Sequence, residues 1–333
     1  MQPVTWGIIS TAKIGREKVI PAMQAGRLTR VNAIASRDLA AATVVAEKLG
    51  IPRAYGSYEE LLADREIEAV YNPLPNHLHV PFSIRAAEAG KHVLCEKPIA
   101  LTATEAQSLI AVRDRTGVRI EEAFMVRHHP QWRRARELVR EGRIGDLRAI
   151  QAFFSYNNPD PANIRNMADI GGGGIYDIGC YPVVTARFLF EAEPTRVVAL
   201  IERDPVMKTD RLTGAILDFP GGHATFTCST QMIPFQRVQI LGTAGRIEVR
   251  VPFNAPPAEP SCILLDFEGR VGDAAAVHEE FAPVDQYTLQ GDVFSEGIRT
   301  GTPPEFPLED SVRNMRVIDA LFRSGASGRW EAV

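Results

Sequence analysis

Val93-Leu94-Cys95-Glu96-Lys97-Pro98 is a short apolar run that ends in an acid, a base and a proline. A strand buried on both faces of a parallel sheet has a continuous apolar sequence, so residues 91–95 are predicted to be strand and Glu96-Lys97 its carboxyl end. Open α/β sheets bind their ligands at the carboxyl ends of their strands. The pattern therefore places Lys97 at a ligand-binding edge, although a salt-bridged strand end closed by a turn proline would have the same sequence.

The segments around this run repeat one pattern, in which a buried apolar strand is followed by a helix. Capping boxes at Ser57-Tyr58-Glu59-Glu60 and Thr102-Ala103-Thr104-Glu105 mark two helix starts, and Gly50 and Gly117 mark two helix ends. Strands that alternate with helices at this spacing predict an α/β fold with a doubly wound parallel sheet in residues 1–125. The predicted strands are 4–10, 30–35, 69–72, 91–95 and 118–124, and the main predicted helices are 39–49, 80–89 and 102–117.

Beyond the last of these strands the pattern changes to consecutive strands with few helices between them. Pro220-Gly221-Gly222 and Ala244-Gly245 each separate two β-rich segments and are typical of hairpin turns. Consecutive strands joined by hairpins form an antiparallel or mixed sheet, so residues 126–333 are predicted to be a second, α+β domain. Helices are predicted at 285–300 and 308–323. A chain of 333 residues is long enough for two cores.

The composition limits the classes of partner. Hydrophobic residues make up 45% and charged residues 23%, and the formal net charge of −4 gives no attraction to nucleic acid or to an anionic membrane. Four cysteines without zinc spacing are typical of a reducing compartment, and the amino terminus has no secretory signal. His77 and His79 lack a nearby carboxylate or cysteine in the sequence, so no metal site is expected. We therefore expect a cytoplasmic protein without nucleic-acid or membrane partners.

The turn after the first strand is a candidate dinucleotide site. The segment from Gly7 to Gly15 keeps only the first and last glycines of the G-x-G-x-x-G pattern. A role in packing therefore explains these glycines about as well as a nucleotide site does. At the end of the second strand, Ser36 and Arg37 suit a 2′-phosphate, which favours NADP(H) over the alternative cofactor NAD(H). Two alternatives remain for this segment. Asp38 could bind the ribose of NAD(H), and Ser36 could serve only as the cap of the next helix.

Two further segments carry unusual residues. The loop 72–79 follows the predicted strand 69–72, and its prolines extend it past the sheet, where it would line the nicotinamide ribose. Gly171-Gly172-Gly173-Gly174 precedes a predicted helical segment in which Asp177 and Tyr181 are one turn apart and share a face. A glycine-rich hinge beside a core tyrosine is the alternative interpretation.

Together these residues resemble the glucose-fructose oxidoreductase, inositol dehydrogenase and rhizopine catabolism family of NAD(P)-dependent sugar oxidoreductases, over nearly the whole chain. The marks of the resemblance are the glycine-poor first turn, Asn76, His79, Glu96-Lys97-Pro98, residues 122–127, Gly172-Gly173-Gly174, Asp177 and the ring at 181. Many members have histidine where Tyr181 stands, and tyrosine there is similar to the dimeric dihydrodiol dehydrogenases and NADP-dependent xylose dehydrogenases. The resemblance implies an N-terminal Rossmann domain and an open-faced, mostly antiparallel C-terminal sheet that mediates homo-dimers or homo-tetramers.

The resemblance also implies that Lys97 and Tyr181 face the nicotinamide across a cleft between the domains. Oxidation of a secondary alcohol requires a proton to leave oxygen as hydride leaves carbon. A phenol with a pKa of about 10 is a poor base at neutral pH, but a nearby ammonium favours its ionised form. Tyr181 is therefore predicted to be the general acid/base with Lys97 as its partner, and Lys97 as the base itself remains the alternative. Asp177 is predicted to orient Lys97 or to bind a substrate hydroxyl.

The predicted residues form three sets. The catalytic set is Lys97, Tyr181 and Asp177. The cofactor-binding set is Gly7, Ser10, Thr11, Ala12, Lys13, Ile14, Ser36, Arg37, Pro73, Leu74, Asn76, His79, Glu96 and Lys97. The substrate-binding set is Arg127, Arg165, Asn166, Asp177 and Tyr181, of which the arginines and Asn166 are equally compatible with a surface position.

The prediction from sequence is an NADP(H)-dependent oxidoreductase that acts on a hydroxyl or carbonyl of a sugar, polyol or cyclic diol. A ketosugar reductase that runs in the opposite direction is compatible with the same residues. A dinucleotide-binding sensor or structural protein without turnover is the alternative from a different class. Retention of both Lys97 and Tyr181 favours an enzyme, because a sensor needs neither.

Overall fold

The computed structural model describes residues 1–268, 272–273 and 276–333. It divides the chain into two units: Met1–Met125 with Asp285–Val312, and Val126–Val284 with Arg313–Val333. The division that we infer from the sequence, 1–125 and 126–333, differs from these units in placing 285–312 with the second domain.

The first unit contains a parallel sheet. Within the described residues its six strands pair in the order β3-β2-β1-β4-β5-β6, and every pair is parallel. This is the Rossmann order, so the predicted doubly wound sheet is confirmed. The strands are β1 Val4–Ile9, β2 Thr29–Ala35, β3 Arg53–Tyr55, β4 Ala69–Asn72, β5 His92–Cys95 and β6 Ile120–Glu122.

The helices that connect these strands have the caps that the sequence predicts. Ser57 and Thr102 accept hydrogen bonds from the backbone N–H groups of Glu60 and Glu105, and Gly117 ends its helix in the left-handed conformation. One departure from α-helical geometry follows β1, where Gly15–Val19 is a π-helical turn. The α-helices are α1 Ile20–Gln24, α2 Leu39–Leu49, α3 Tyr58–Ala63, α4 His79–Glu88 and α5 Ala103–Thr116.

The second unit is built on a mixed sheet. Among the residues that the structure describes, nine strands pair in the order β14-β13-β12-β11-β7-β10-β9-β8-β15, and all pairs except β7 with β10 are antiparallel. The predicted hairpin at Pro220-Gly221 is present, with Gly221 at φ 86°. The elements of this unit are α6 Pro130–Arg140, β7 Leu147–Asn157, α7 Cys180–Phe190, β8 Arg196–Arg203, β9 Asp210–Phe219, β10 Gly222–Ser229, β11 Gln231–Gly242, β12 Arg246–Val249, β13 Ser261–Asp266, β14 Val277–Phe281 and β15 Glu331–Ala332. Helix α8 Gln286–Thr300 lies in the first unit, and α9 Leu308–Ser327 begins in the first unit and ends in the second.

Helix α8 belongs to the first unit because its side chains pack against β1. The rings of Phe294 and Trp6 are 5.2 Å apart, and Trp6 Nε1 donates a hydrogen bond of 3.1 Å to Ser295 Oγ. Arg299 adds an ion pair of 2.6 Å with Glu68. Helical periodicity predicts the helix but does not reveal which sheet its apolar face covers.

No helix in the part of the chain that the structure describes is long and apolar enough to cross a membrane.

Candidate active site

The turn after β1 is tightly organised at the carboxyl edge of the parallel sheet. Ser10 has φ 94°, and its Oγ accepts a hydrogen bond of 3.0 Å from Ala12 N. Gly7 lies earlier, inside β1, where an added Cβ would come within 2.8 Å of Leu61 Cδ2. Packing against α3 therefore explains the glycine at position 7, while residues 10–14 lie at the strand end where a dinucleotide binds.

At the end of β2, Asp38 and not Ser36 caps the next helix. Asp38 is the N-cap of α2 and accepts a hydrogen bond of 2.9 Å from Ala40 N. Ser36 Oγ accepts from Asp38 N at 3.2 Å, so Ser36 supports the turn and is not the cap. Arg37 is exposed beside Tyr58, where its charge opposes the rise that burial causes in the pKa of the Tyr58 phenol.

These strand ends fit a dinucleotide that carries a 2′-phosphate. The Asp38 carboxylate is engaged by backbone N–H groups of α2, and the exposed Arg37 supplies a positive group at the same strand end. A guanidinium and a hydroxyl suit a phosphate, whereas a ribose with two hydroxyls requires an acid. The chemistry of the residues present thus matches NADP(H).

The loops after β4 and β5 are fastened to each other by His79. This side chain is buried, and its Nδ1 and Nε2 lie 2.7 Å from the carbonyl oxygens of Pro98 and Leu74. Asn72 supports the same loop by donating to His79 O at 3.1 Å. Burial lowers the pKa of His79 to about 4, against the opposing effect of the two carbonyls. Of the other predicted residues here, Pro73 and Leu74 are buried and Asn76 is half-buried.

Lys97 lies two residues beyond the end of β5 and is half-buried. Its predecessor Glu96 accepts a hydrogen bond of 2.6 Å from the buried Tyr71 hydroxyl, and its second oxygen accepts from Lys97 N at 3.3 Å. The residue after the cis proline, Ile99, donates from its backbone N to Glu122 at 2.8 Å. Glu96 therefore supports the backbone that presents Lys97.

In the second unit, Asp177 is held by two side chains. Its Oδ2 accepts a hydrogen bond of 2.5 Å from the Tyr156 hydroxyl, and its Oδ1 accepts from Arg165 Nε at 3.0 Å. Burial and the charge of Asp177 both raise the pKa of Tyr156 well above its ordinary value, so this phenol remains a donor. The structure thus brings together the predicted Asp177 and Arg165 and adds Tyr156 to them.

Tyr181 is buried in an aromatic cluster near the start of α7. Its ring centroid is 5.8 Å from that of Phe154 and 5.4 Å from that of Phe253. The segment between Asp177 and α7 differs from the prediction, because Ile175–Gly179 is a π-helical turn in which Cys180 N donates to Ile175 O. The predicted single α-helical turn from 177 to 181 is therefore wrong. Turns of this kind are frequent at functional sites.

The remaining predicted residues of the second unit are buried. Asn166 donates from Nδ2 to Asn158 O and Asp160 O, both at 2.8 Å, which orders the loop before the glycines. Arg127 is 3% exposed. A surface position, the alternative interpretation for these two residues, is therefore wrong, whereas Arg165 is 41% exposed.

No local sequence motif identifies Tyr156 as a candidate site residue. This tyrosine lies in β7, two residues after Phe154, and aromatic residues are common in strands. Its contact with Asp177 spans 21 residues and depends on how β7 packs against the glycine-rich segment. A buried tyrosine hydroxyl usually has a hydrogen-bond partner, and this rule is the one sequence-level reason to expect a polar contact at Tyr156.

Comparison with known proteins places this arrangement in a family. A family model described as an oxidoreductase family with an NAD-binding Rossmann fold matches residues 4–124, and a GFO/IDH/MocA C-terminal domain model matches residues 132–248. The chain belongs to the GFO/IDH/MocA oxidoreductase family. The predicted family and the prediction of an enzyme are confirmed.

Several relatives of this GFO/IDH/MocA protein have descriptive names. The chain is 52% identical to an uncharacterized oxidoreductase of Rhizobium meliloti, over 100% of both chains. It is 41% identical to a D-xylose 1-dehydrogenase (NADP(+)) of Haloferax volcanii, over 97% of this chain and 98% of the relative. A crystal structure of a 3-ketoreductase from Actinomadura kijaniata with NADP and TDP-benzene has a TM-score of 0.89 and 30% identity, over 97% of this chain and 98% of the other. The prediction of NADP as cofactor agrees with both named enzymes.

Proposed function

We propose that this protein is an NADP(H)-dependent oxidoreductase that transfers hydride between the nicotinamide and a hydroxyl or carbonyl carbon of a sugar, polyol or cyclic diol. The observation that carries the proposal is Lys97, presented by Glu96 at the carboxyl end of β5 in the NAD-binding sheet. An ammonium at the ligand-binding edge of the sheet can stabilise the negative charge that develops on a reacting oxygen.

The cofactor part of the proposal rests on β2 and on the relatives. Arg37 and Ser36 suit a 2′-phosphate, and Asp38 is engaged as the cap of α2. Relatives that cover nearly the whole chain are named as NADP(+)-dependent or were crystallised with NADP. NADP supplies or accepts the hydride when bound. NAD(H) is the weaker alternative cofactor.

The chemistry of the chain's own residues is proton transfer at the substrate oxygen. We assign Tyr181 as general acid/base and Lys97 as the group that stabilises the alkoxide or directs the phenol, which the family resemblance supports. Solved variants of the Actinomadura 3-ketoreductase carry phenylalanine in place of a tyrosine or alanine in place of a lysine. Those are the same two residue types.

Substrate hydroxyls are assigned to the polar set in the second unit. Asp177 accepts hydrogen bonds from Tyr156 and Arg165, and a carboxylate is an acceptor that suits the hydroxyl donors of a sugar. Arg127 and Asn166 belong to the same set by the family resemblance. The substrates named for relatives, D-xylose and a dTDP-linked deoxy sugar, support a carbohydrate.

The direction of the reaction separates the two enzyme hypotheses. A relative from Haloferax volcanii is named for oxidation, and relatives from Actinomadura kijaniata and other bacteria are named as 3-reductases. We favour oxidation for this chain because the dehydrogenase is 41% identical and the reductase is 32% identical. A sensor without turnover is the candidate from another class.

A substrate panel tests the proposal. Aldoses, polyols and cyclic diols are each incubated with the protein and NADP or NAD, and the absorbance of the reduced nicotinamide is followed; ketosugars are assayed with NADPH. Turnover of at least one sugar or diol, faster with NADP than with NAD, is expected. Tight NADPH binding with no turnover on any compound would instead support the sensor.

We further propose that the protein is cytoplasmic and forms a homo-dimer or homo-tetramer through its nine-stranded sheet. Large apolar side chains of strands in this sheet are exposed, including Leu200 at 80% and Ile233 at 78%. Exposed apolar groups on one sheet support a self-association surface. Light scattering of the purified protein tests it: a dimer or tetramer is expected, and a monomer would contradict it.

A further inference from the structure

We propose that Asp210 is a positioning residue that fixes the glycine-rich turn and, through it, the helical segment that carries Asp177 and Tyr181. The inference rests on the proposed function, because that function gives Asp177 and Tyr181 their roles. Asp210 is the first residue of β9 and lies 33 residues from Asp177 along the chain.

The carboxyl of Asp210 occupies the space that side chains on the turn would need. It is buried, and its Oδ2 accepts a hydrogen bond of 2.6 Å from Ile175 N. A Cβ on Gly173 would collide with Asp210 Oδ1, and one on Gly174 would lie 3.3 Å from Oδ2. Gly173 also has φ 123°, which side chains rarely adopt. The glycines are therefore needed for the approach of this carboxyl.

Burial and the polar neighbours of Asp210 have opposite effects on its pKa. Burial raises the pKa of Asp210 to about 7, although the backbone N–H groups of Ile175 and Gly174 and the charge of Arg203 on β8 favour the ionised form. The neighbouring Cys228 thiol on β10 has a raised pKa, mainly through burial, and remains neutral. An acceptor at the start of a helical segment also complements the partial positive charge there.

Backbone hydrogen bonds connect the glycine-rich turn, which Asp210 contacts, to the segment that carries Asp177 and Tyr181. Ile175 begins the π-helical turn, and its carbonyl accepts from Cys180 N at the start of α7. Gly173 O accepts from Asp177 N at 3.1 Å. A shift of Gly173 or Ile175 therefore moves the backbone of both Asp177 and the segment that leads into Tyr181.

Asp204 supplies a matched control in the same unit. Its carboxylate also accepts from backbone N–H groups, those of Val206 and Met207, both at 2.8 Å, and from Gln231 at 2.9 Å. None of these partners belongs to the glycine-rich turn. Asp204→Asn thus makes the same chemical change at a structural carboxylate elsewhere.

The experiment compares Asp210→Asn and Asp204→Asn in the full-length protein. In Asp210→Asn an amide nitrogen replaces an acceptor that faces N–H donors, so about a tenfold or larger loss of kcat is expected, with the Kd for NADPH unchanged. Hydrogen exchange of the amides at 173–181 is expected to be faster in Asp210→Asn and unchanged in Asp204→Asn. Gly174→Ala, at φ −67°, leaves the backbone unstrained but brings a Cβ to 3.1 Å from the backbone oxygen of Asp210 and 3.3 Å from its Oδ2, and the same pattern is expected.

Unchanged exchange at 173–181 in Asp210→Asn would overturn the inference, as would an equal loss of kcat in Asp204→Asn. If Asp210→Asn does not fold, Gly174→Ala decides by the same criteria. Hydrogen exchange needs no substrate, so the positioning role is tested even if the wild-type protein turns over no compound in the panel, which would count against the proposed function alone.

Discussion

The Tyr156 hydroxyl donates a 2.5 Å hydrogen bond to Oδ2 of Asp177, and this contact joins β7 to the glycine-rich segment. Arg165 holds the other carboxylate oxygen at 3.0 Å. Asp177 is therefore restrained on both sides within the second unit. These two contacts support the proposed role of Asp177 in binding a substrate hydroxyl.

Replacement of Tyr156 by phenylalanine tests this restraint. The variant removes one charge-assisted hydrogen bond, which is worth about 1.5–3 kcal/mol, so kcat/KM is expected to fall roughly 10- to 100-fold with NADPH affinity unchanged. Tyr55→Phe is the matched control, because Tyr55 donates a similar bond of 2.9 Å to Asp64 in the first unit. Equal kcat/KM in the wild type and Tyr156→Phe would contradict the role.

The sequence predicts Lys97 better than it predicts the surroundings of Asp177, for a physical reason. Position at the carboxyl end of a parallel strand follows from a local apolar run, and Lys97 is found there. The hydrogen bonds of Asp177 with Tyr156 and of Asp210 with Ile175 N join residues that are far apart in sequence. A local sequence pattern does not predict such contacts.

Two local expectations also differ from the structure. The segment from Asp177 to Tyr181 includes part of the π-helical turn Ile175–Gly179, whereas spacing alone assumes α-helical geometry. Helix α8 packs on Trp6 although it follows the second domain in sequence. Both depend on tertiary packing.

The buried His79 makes stability depend on pH. Its folded-state pKa is about 4, below the ordinary 6.5, so the unfolded chain binds a proton first as the pH falls. His79 therefore contributes stability above pH 6.5 that is lost as the pH falls towards 4. Relative to the wild type, His79→Gln is expected to be less stable at neutral pH, and the difference should shrink on acidification.

Urea unfolding at several pH values measures this effect. His223→Gln, at an exposed position on β10, is the control. Parallel pH profiles for the wild type and His79→Gln would refute the assignment of a depressed pKa to His79.

Arg37→Ala tests the cofactor preference. Loss of a guanidinium beside a 2′-phosphate removes a charge-assisted contact, so the Kd for NADP should rise about tenfold or more while the Kd for NAD changes little. Arg65→Ala, an exposed arginine of the same unit, is the control. A similar change in both Kd values would remove the argument for 2′-phosphate recognition at the end of β2.

The central claim is that Lys97 takes part in the chemical step, and Lys97→Met tests it most directly. With a substrate found in the panel, the wild type, Lys97→Met and the exposed control Lys48→Met are compared for NADPH affinity and for kcat. We predict unchanged NADPH affinity and at least about a 100-fold loss of kcat in Lys97→Met alone, which is typical of acid–base groups. An unchanged kcat in Lys97→Met would contradict the account.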